Sequence, residues 1–383
     1  MQTRWRYIAD DGVSAHRGLA TDEVLMRPYQ EPRPAAGGTL RLYTYRSHCA
    51  LVGRFQHLEA EINRDACETL DVQIGRRMTG GGAIIMGRDQ LGICLTTAVK
   101  HLPPNLNQRH LYAYLAQPII DGLSKLGIDA AFRPKNDLEV NGRKIAGLGI
   151  YTDARGALLF HTSLLVDLDV DLMIRVLNIP REKISDKVLL RSVRQRMTTI
   201  RRELGTAISI DEVRAILKQS FARYFQCTFQ ETPLTVEEEQ AVQQLMEQKY
   251  QTPQWLFQFS PQQDLYGAAV RKTPAGLLRV YVALFGETIK SVMITGDFLE
   301  QLSFFTAVES ALKWHPLDRE AIQHTIIEIS RRHPTNDVAP HLLTATVWEA
   351  VRRARMESHF TYRGTCYYPK KEDQTITRQE AGG

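Results

Sequence analysis

Cysteine is scarce in this chain of 383 residues: five occur (Cys49, Cys67, Cys94, Cys227 and Cys366), scattered, odd in number and never spaced as CxxC. That distribution argues against a disulfide framework and against a zinc site, and reads as buried thiols. No apolar run approaches the roughly 20 residues a membrane helix requires, so no membrane span or membrane partner is expected. The opening MQTRWRYIADDG lacks an apolar core followed by small residues, so it does not read as a secretory signal, and a cytoplasmic location is expected. Charge of one sign is not in marked excess either. With 48 basic and 43 acidic residues the net charge of +5 makes no demand for nucleic acid, and suits an enzyme with anionic ligands or an acidic protein partner.

What is present fits a soluble globular chain, with 43% hydrophobic and 24% charged residues and a length beyond that at which one core stops growing. Two domains are therefore expected. LATDEVLMR (19–27) reads as a short helix, and TLRLYTYR and CALVGRF alternate as half-buried strands do. VQIGRRM and AIIM form a further pair of strands with a glycine loop cut between them, followed by QLGICLTTAV. Residues 105–126 carry helical spacing, with Pro118 and Gly122 marking a kink or break. In DLEVNGRKIAGLGIY the Asn-Gly pair reads as a hairpin turn. Ser209 with Glu212 and Thr235 with Glu238 have the spacing of capping boxes.

Strands and helices do not alternate regularly, so the class expected is α+β: a catalytic domain over 1–250 with a mixed sheet, a linker at 251–265, a smaller α+β domain at 266–355 and an extension at 356–383. The smaller domain should hold a hairpin, GLLRVYVALF with ETIKSVMITG, and helices at 297–313, 317–331 and 338–355.

Two stretches carry chemistry. In RRMTGGGAIIM, Gly80, Gly81 and Gly82 let backbone N–H groups approach and surround a ligand, and Arg76 and Arg77 place positive charge beside it. A flexible hairpin turn is the alternative for three glycines taken alone; the double arginine and flanking strands favour an anion site. In RPKNDLEVNGRKIAGLGIY, two strands joined by a short turn bring Asn136 and Asp137 toward Lys144, with Ala146 and Gly147 leaving room beside the amine. Such a lysine can neutralise a carboxylate and a phosphoryl oxygen together. By spacing alone, an exposed strand lysine after a turn remains the commoner case.

RRMTGGGA, PKNDLEVNGRKIAG, FHTSLLVD and RSVRQRMTTI, in this order, resemble the lipoate-protein ligases of the biotin/lipoate ligase superfamily. The resemblance extends from WRYIADDGVSAHRGLATDEVLMR to the accessory-domain pattern GDFLEQLSFFTAVESAL. It implies ATP-dependent activation of lipoate to lipoyl-adenylate, then transfer to a lysine of a small, acidic lipoyl-domain acceptor. It further implies that Lys144 bridges carboxylate and phosphate, that Arg77, Thr79, Gly80, Gly81, Gly82 and Ala83 contact the acyl-adenylate with Gly147 beside the amine, and that Asn136 and Asp137 serve the nucleotide and its Mg²⁺, with Asp137 as the metal ligand. His161 matches a family histidine; on its own, a strand histidine is more often a packed core residue.

Met86 stands where the family commonly has histidine and Thr162 where it has glycine, which leaves lipoate against octanoate open. Rival readings are an ATP-independent octanoyltransferase, which wants a reactive cysteine, a biotin ligase, and a non-catalytic binder of lipoyl domains. Arg191, Arg194 and Arg196 are the first candidates to steer an acidic acceptor, and Cys366 with Phe360, Tyr362, Tyr367 and Tyr368 marks the extension.

Overall fold

A buried arginine lies in the main sheet. Arg41 is 0% exposed and donates to Asp22 Oδ1 and Asp10 Oδ2, each at 2.7 Å, and to the Gly18 carbonyl at 3.0 Å. The strand that carries it was expected to be half buried; all eight of its residues are buried, as are the four of the next strand. Its polar position is satisfied by acids from two other elements, which local alternation cannot reveal.

The computed structural model describes residues 3–32, 35, 37–104, 106–134, 136–178, 193, 195–258, 267–274, 276–298, 303–334 and 338–359. The chain divides into two compact units, Met1–Gln258 and Phe259–Gly383. The first unit contains β1 (Thr3–Val13), β2 (Gly38–Tyr45), β3 (Cys49–Val52), β4 (Gln73–Arg76), β5 (Ile84–Met86), β6 (Gln90–Ala98), β7 (Ala131–Arg133), β8 (Asp137–Val140), β9 (Arg143–Thr152), β10 (Ala157–Leu165) and β11 (Cys227–Glu231). Eight of these form one mixed sheet in the order β11-β1-β2-β6-β10-β9-β8-β7, and β4-β3-β5 form a second. The class is α+β, as expected.

The small sheet changes the reading of the glycine loop. β4 and β5 do not pair with each other: β4 lies parallel to β3 and β5 antiparallel on its other side. Residues 77–83 therefore cross over the end of β3, and the hairpin-turn alternative does not apply.

The helix expected at 19–27 is Ala15–Val24, starting earlier because the Ser14 side chain caps it by accepting from the Arg17 N–H. The helix Gln108–Lys125, capped by Asn107, runs through Pro118 and Gly122 without the expected break. Gly122 serves packing instead, since a Cβ there would stand 2.7 Å from Leu217 of the helix Ile210–Tyr224. Both capping boxes form, at Ser209 with Glu212 and at Thr235 with Glu238. The Asn-Gly turn also forms: Asn141 and Gly142 take φ of +49° and +72° between β8 and β9.

Within the stretch read as linker, Pro253–Leu256 is a short helix capped by Thr252. It is held on the first unit by Arg76, whose Nε donates to Trp255 O, while Trp255 Nε1 donates back to Arg76 O at 3.0 Å. Residues 259–266 lie outside the described residues.

The second unit pairs β12 (Gly267–Thr273), β13 (Gly276–Phe285), β14 (Thr288–Gly296) and β15 (His315–Pro316) in that order, with helices Ser303–Ala311, Arg319–Arg332 and Pro340–His359. The expected hairpin is β13 with β14. Residues 360–383, which include Phe360, Tyr362, Cys366, Tyr367 and Tyr368, lie outside the described residues.

Candidate active site

The site is built on one face of the large sheet. Tyr43, Gly92, Ser163, Gly147 and Asp137 are successive register partners across β2, β6, β10, β9 and β8. Two residues further along, Arg41, Cys94, His161 and Gly149 form the neighbouring row on the same face.

Lys144 joins this face through an irregularity. Asp137 pairs with Gly147 and Leu138 with Ala146, but Glu139 pairs with Lys144, so Ile145 is an extra residue in β9. Strict alternation would turn Lys144 away from Gly147; the bulge brings it back. Its Nζ then lies 2.6 Å from Asp137 Oδ1, and a Cβ on Gly147 would stand 3.0 Å from the same nitrogen. Asn136 closes the end of the strand pair, donating from Nδ2 to Leu148 O at 2.9 Å and accepting from Leu148 N–H at 2.8 Å. An amide, a carboxylate and an amine thus meet where two strands end.

The glycine loop crosses above. Its two arginines do not both point at a ligand. Arg76 is fully buried and spends its guanidinium on the carbonyls of Gly53, Arg54, Gln56, Trp255 and Leu256. It clamps the loop's foundations. Arg77 donates to Leu51 O at 2.6 Å and Gly82 O at 2.9 Å and also lines the cleft beneath the loop. Burial pulls its pKa down to about 10, still charged at neutral pH, and no carboxylate pairs with it among the described residues.

Thr79 pins the loop to the sheet: its Oγ1 lies 2.9 Å from His161 Nε2, and its carbonyl accepts from Arg54 N–H at 2.9 Å. Two glycines make that approach feasible. A Cβ on Gly149 would stand 2.6 Å from His161 Nε2 and 3.0 Å from Thr79 Oγ1, and one on Gly53 would collide with the carbonyl of Gly81, itself at φ +96°. His161 lies deep in the fold while its ring edge opens on the cleft. Burial, and secondarily Arg77, push its pKa down to about 3, so it is neutral at physiological pH.

Two clefts meet here. The first, about 100 Å³, lies between the loop and the sheet, and its wall includes Tyr43, Tyr45, Met86, Arg77, Gly80, Gly81, Gly82 and Asn136. The second, about 290 Å³, is largely apolar, with Ile85, Leu165, Leu168, Met173 and Met197 in its wall and Arg196 beside them. They share Ala83, Ile84, Lys144, Gly147 and Ser163. Arg77, Thr79, the three glycines, Ala83, Asn136, Asp137, Lys144, Gly147 and His161 are therefore neighbours in space. Arg196 is exposed; Arg191 and Arg194 lie outside the described residues.

Tyr43, Tyr45 and Ser163 escaped the sequence reading. The two tyrosines alternate in TLRLYTYR and Ser163 follows His161 by two, so parity along each strand was the available signal. The described cysteines contribute nothing to either wall. Cys49, Cys67, Cys94 and Cys227 are free and buried, and burial raises every one of these thiols, Cys67 and Cys227 to about 11.

The sequence model of the lipoyl protein ligase A/B catalytic domain matches residues 14–222, more than half of the chain. This chain belongs to that family. Among its relatives, octanoyltransferase LipM of Halalkalibacterium halodurans is 26% identical over 277 residues, covering 66% of this chain and 98% of that protein. Lipoate-protein ligase A subunit 1 of Thermoplasma acidophilum is 29% identical over 250 residues, covering 62% and 90%. A solved structure of the bi-partite lipoate protein ligase of Thermoplasma acidophilum, from a study that includes its E2 lipoyl domain, superposes with a TM-score of 0.60 at 26% identity, covering 68% of this chain and 99% of that one. The chain is thus an enzyme of the lipoate ligase and octanoyltransferase superfamily. Its relatives include both octanoyltransferases and lipoate-protein ligases.

Proposed function

We propose that this enzyme is an ATP-dependent lipoate-protein ligase, activating lipoate, and octanoate as a second substrate, to the acyl-adenylate and passing the acyl group to a lysine of a lipoyl-domain acceptor. One observation carries the reading: Lys144, paired with Asp137, stands at the junction of two clefts under a loop held by the uncompensated cation Arg77.

Joining a carboxylate to a triphosphate brings two anions together. An ammonium at the junction stabilises both as they approach, and Asp137 aims it without surrendering its charge. The acyl tail needs only apolar wall, since each buried methylene contributes about 0.8 kcal/mol. Asn136 orders the strand end that faces the nucleotide.

The described residues hold no cluster of three side chains able to bind a metal. A single carboxylate fits Mg²⁺ bound mainly through phosphate oxygens, so Asp137 would hold it, and the ion would supply neutralisation of phosphate charge. Gly147 leaves room beside the amine, and Thr79 with His161 holds the loop over the bound acyl group. Arg196, exposed beside the second cleft, suits the approach of a small acidic acceptor, an effect that salt would weaken.

The second reading, an octanoyltransferase working without ATP, is favoured by the similarity to LipM over nearly the whole of that protein. It requires an accessible thiolate. Every described cysteine is buried with a raised pKa, and Cys366 lies outside the described residues. The deciding experiment is exchange of labelled pyrophosphate into ATP. Lipoate-dependent exchange by the wild type and by Cys366→Ser supports the ligase; no exchange, with octanoyl transfer from an acyl carrier that Cys366→Ser abolishes, supports the transferase.

A further inference from the structure

We infer that Ser163 is a further catalytic residue: its hydroxyl donates a hydrogen bond to the acyl carbonyl oxygen and to the oxyanion that this oxygen becomes during transfer. The inference rests on the ligase reading above, in which the acyl group arrives at the acceptor amine as an adenylate.

Ser163 is one of five residues common to both cleft walls. If tail and activating group occupy separate clefts, the bond between them lies at that junction. The place a Cβ of Gly147 would occupy is 3.0 Å from Lys144 Nζ and 3.6 Å from Ser163 Oγ, so ammonium and hydroxyl face the same small space. Strand parity puts Ser163 on the site face, in the row of Gly147 and Asp137, while its neighbour Leu164 is turned away and buried.

Ser163 is half-buried, and no described residue hydrogen-bonds to its Oγ. Nearby, His161 Nε2 is hydrogen-bonded to Thr79, Arg77 donates to the carbonyls of Leu51 and Gly82, and Asp137 pairs with Lys144. A carboxylate cannot donate in any case.

The step balances as follows. The neutral acceptor amine forms a C–N bond to the acyl carbon, and the C=O π pair moves onto oxygen, where Ser163 Oγ–H and Lys144 Nζ–H stabilise it. The pair returns to re-form C=O, the bond to the adenylate oxygen breaks with its electrons, and the amine's extra proton leaves on the released phosphate. Donors aimed at the oxygen as charge develops act on the transition state more than on the bound substrate.

The test is single-turnover transfer from preformed lipoyl-adenylate to a recombinant unlipoylated lipoyl domain, with wild type, Ser163→Ala and Ser163→Thr. Removing one such donor is expected to slow transfer by about 100-fold, with Thr restoring most of the rate. Lipoate affinity by calorimetry and the melting temperature should be unchanged in both variants. A Ser163→Ala enzyme transferring at the native rate, a loss confined to lipoate affinity, or an acyl group found covalently on Ser163 by mass spectrometry would each overturn the inference. Failure of the wild type to transfer at all would instead overturn the function proposed above, and the inference with it.

Discussion

Lys144 stands 2.6 Å from Asp137 because β9 carries one extra residue, Ile145, that turns the lysine onto the face occupied by Gly147. The two side chains are 32% and 22% exposed, so solvent screens the pair and it adds little to stability. Asp137→Asn is therefore expected to change unfolding free energy by less than about 1 kcal/mol while lowering acyl activation more than tenfold. Denaturant titration and pyrophosphate exchange on the same preparation check both halves.

Gly149 governs whether the loop can sit down. Its missing Cβ leaves the space through which Thr79 Oγ1 reaches His161 Nε2 at 2.9 Å. Gly149→Ala should force the two apart at a cost of about 1 to 3 kcal/mol and raise the dissociation constant for lipoate. Thermal melting with calorimetric titration measures this, and native affinity in a folded variant would contradict it.

His161 supplies a pH signature. Its pKa in the folded protein is about 3, against an ordinary value near 6.5, because burial disfavours the charged ring. Above pH 6.5 neither state is protonated and the group contributes no pH dependence. As pH falls from 6.5 toward 3 the unfolded chain takes up a proton that the folded one refuses, so stability declines by up to ~1.4 kcal/mol per pH unit. His161→Gln should lack that decline. Urea unfolding of both proteins at pH 7 and pH 5.5 should show their difference shifting in the variant's favour, by about 1 kcal/mol.

Arg76 is a structural arginine. It is fully buried and serves five carbonyls from two segments, all of which would lose this donor in Arg76→Met. The variant should lose about 3 kcal/mol of stability, measured by denaturant titration, with Arg76→Lys recovering less than half.

Much of this was legible along the chain. The Asn-Gly turn, both capping boxes and the glycine loop follow from local chemistry, and the resemblance to lipoate ligases named the residues that the structure gathers around Lys144. What escaped depends on partners distant in sequence. Arg41 is buried because Asp10 and Asp22 come to it, Arg76 because Leu256 does, and neither is visible to alternation. The glycine loop read as an interruption between two paired strands because β3, which separates them in space, precedes both. The bulge at Ile145 left no mark in the residue pattern, so strand parity alone would have turned Lys144 away from the cleft.

The most direct test replaces Lys144 with methionine, removing the ammonium while keeping an unbranched side chain. With ATP, Mg²⁺ and lipoate supplied, the folded Lys144→Met protein is expected to exchange pyrophosphate into ATP at least 100-fold more slowly than wild type, the scale of losing one transition-state charge contact. Exchange at the native rate would show that no ammonium is needed between the two anions, and would contradict the account.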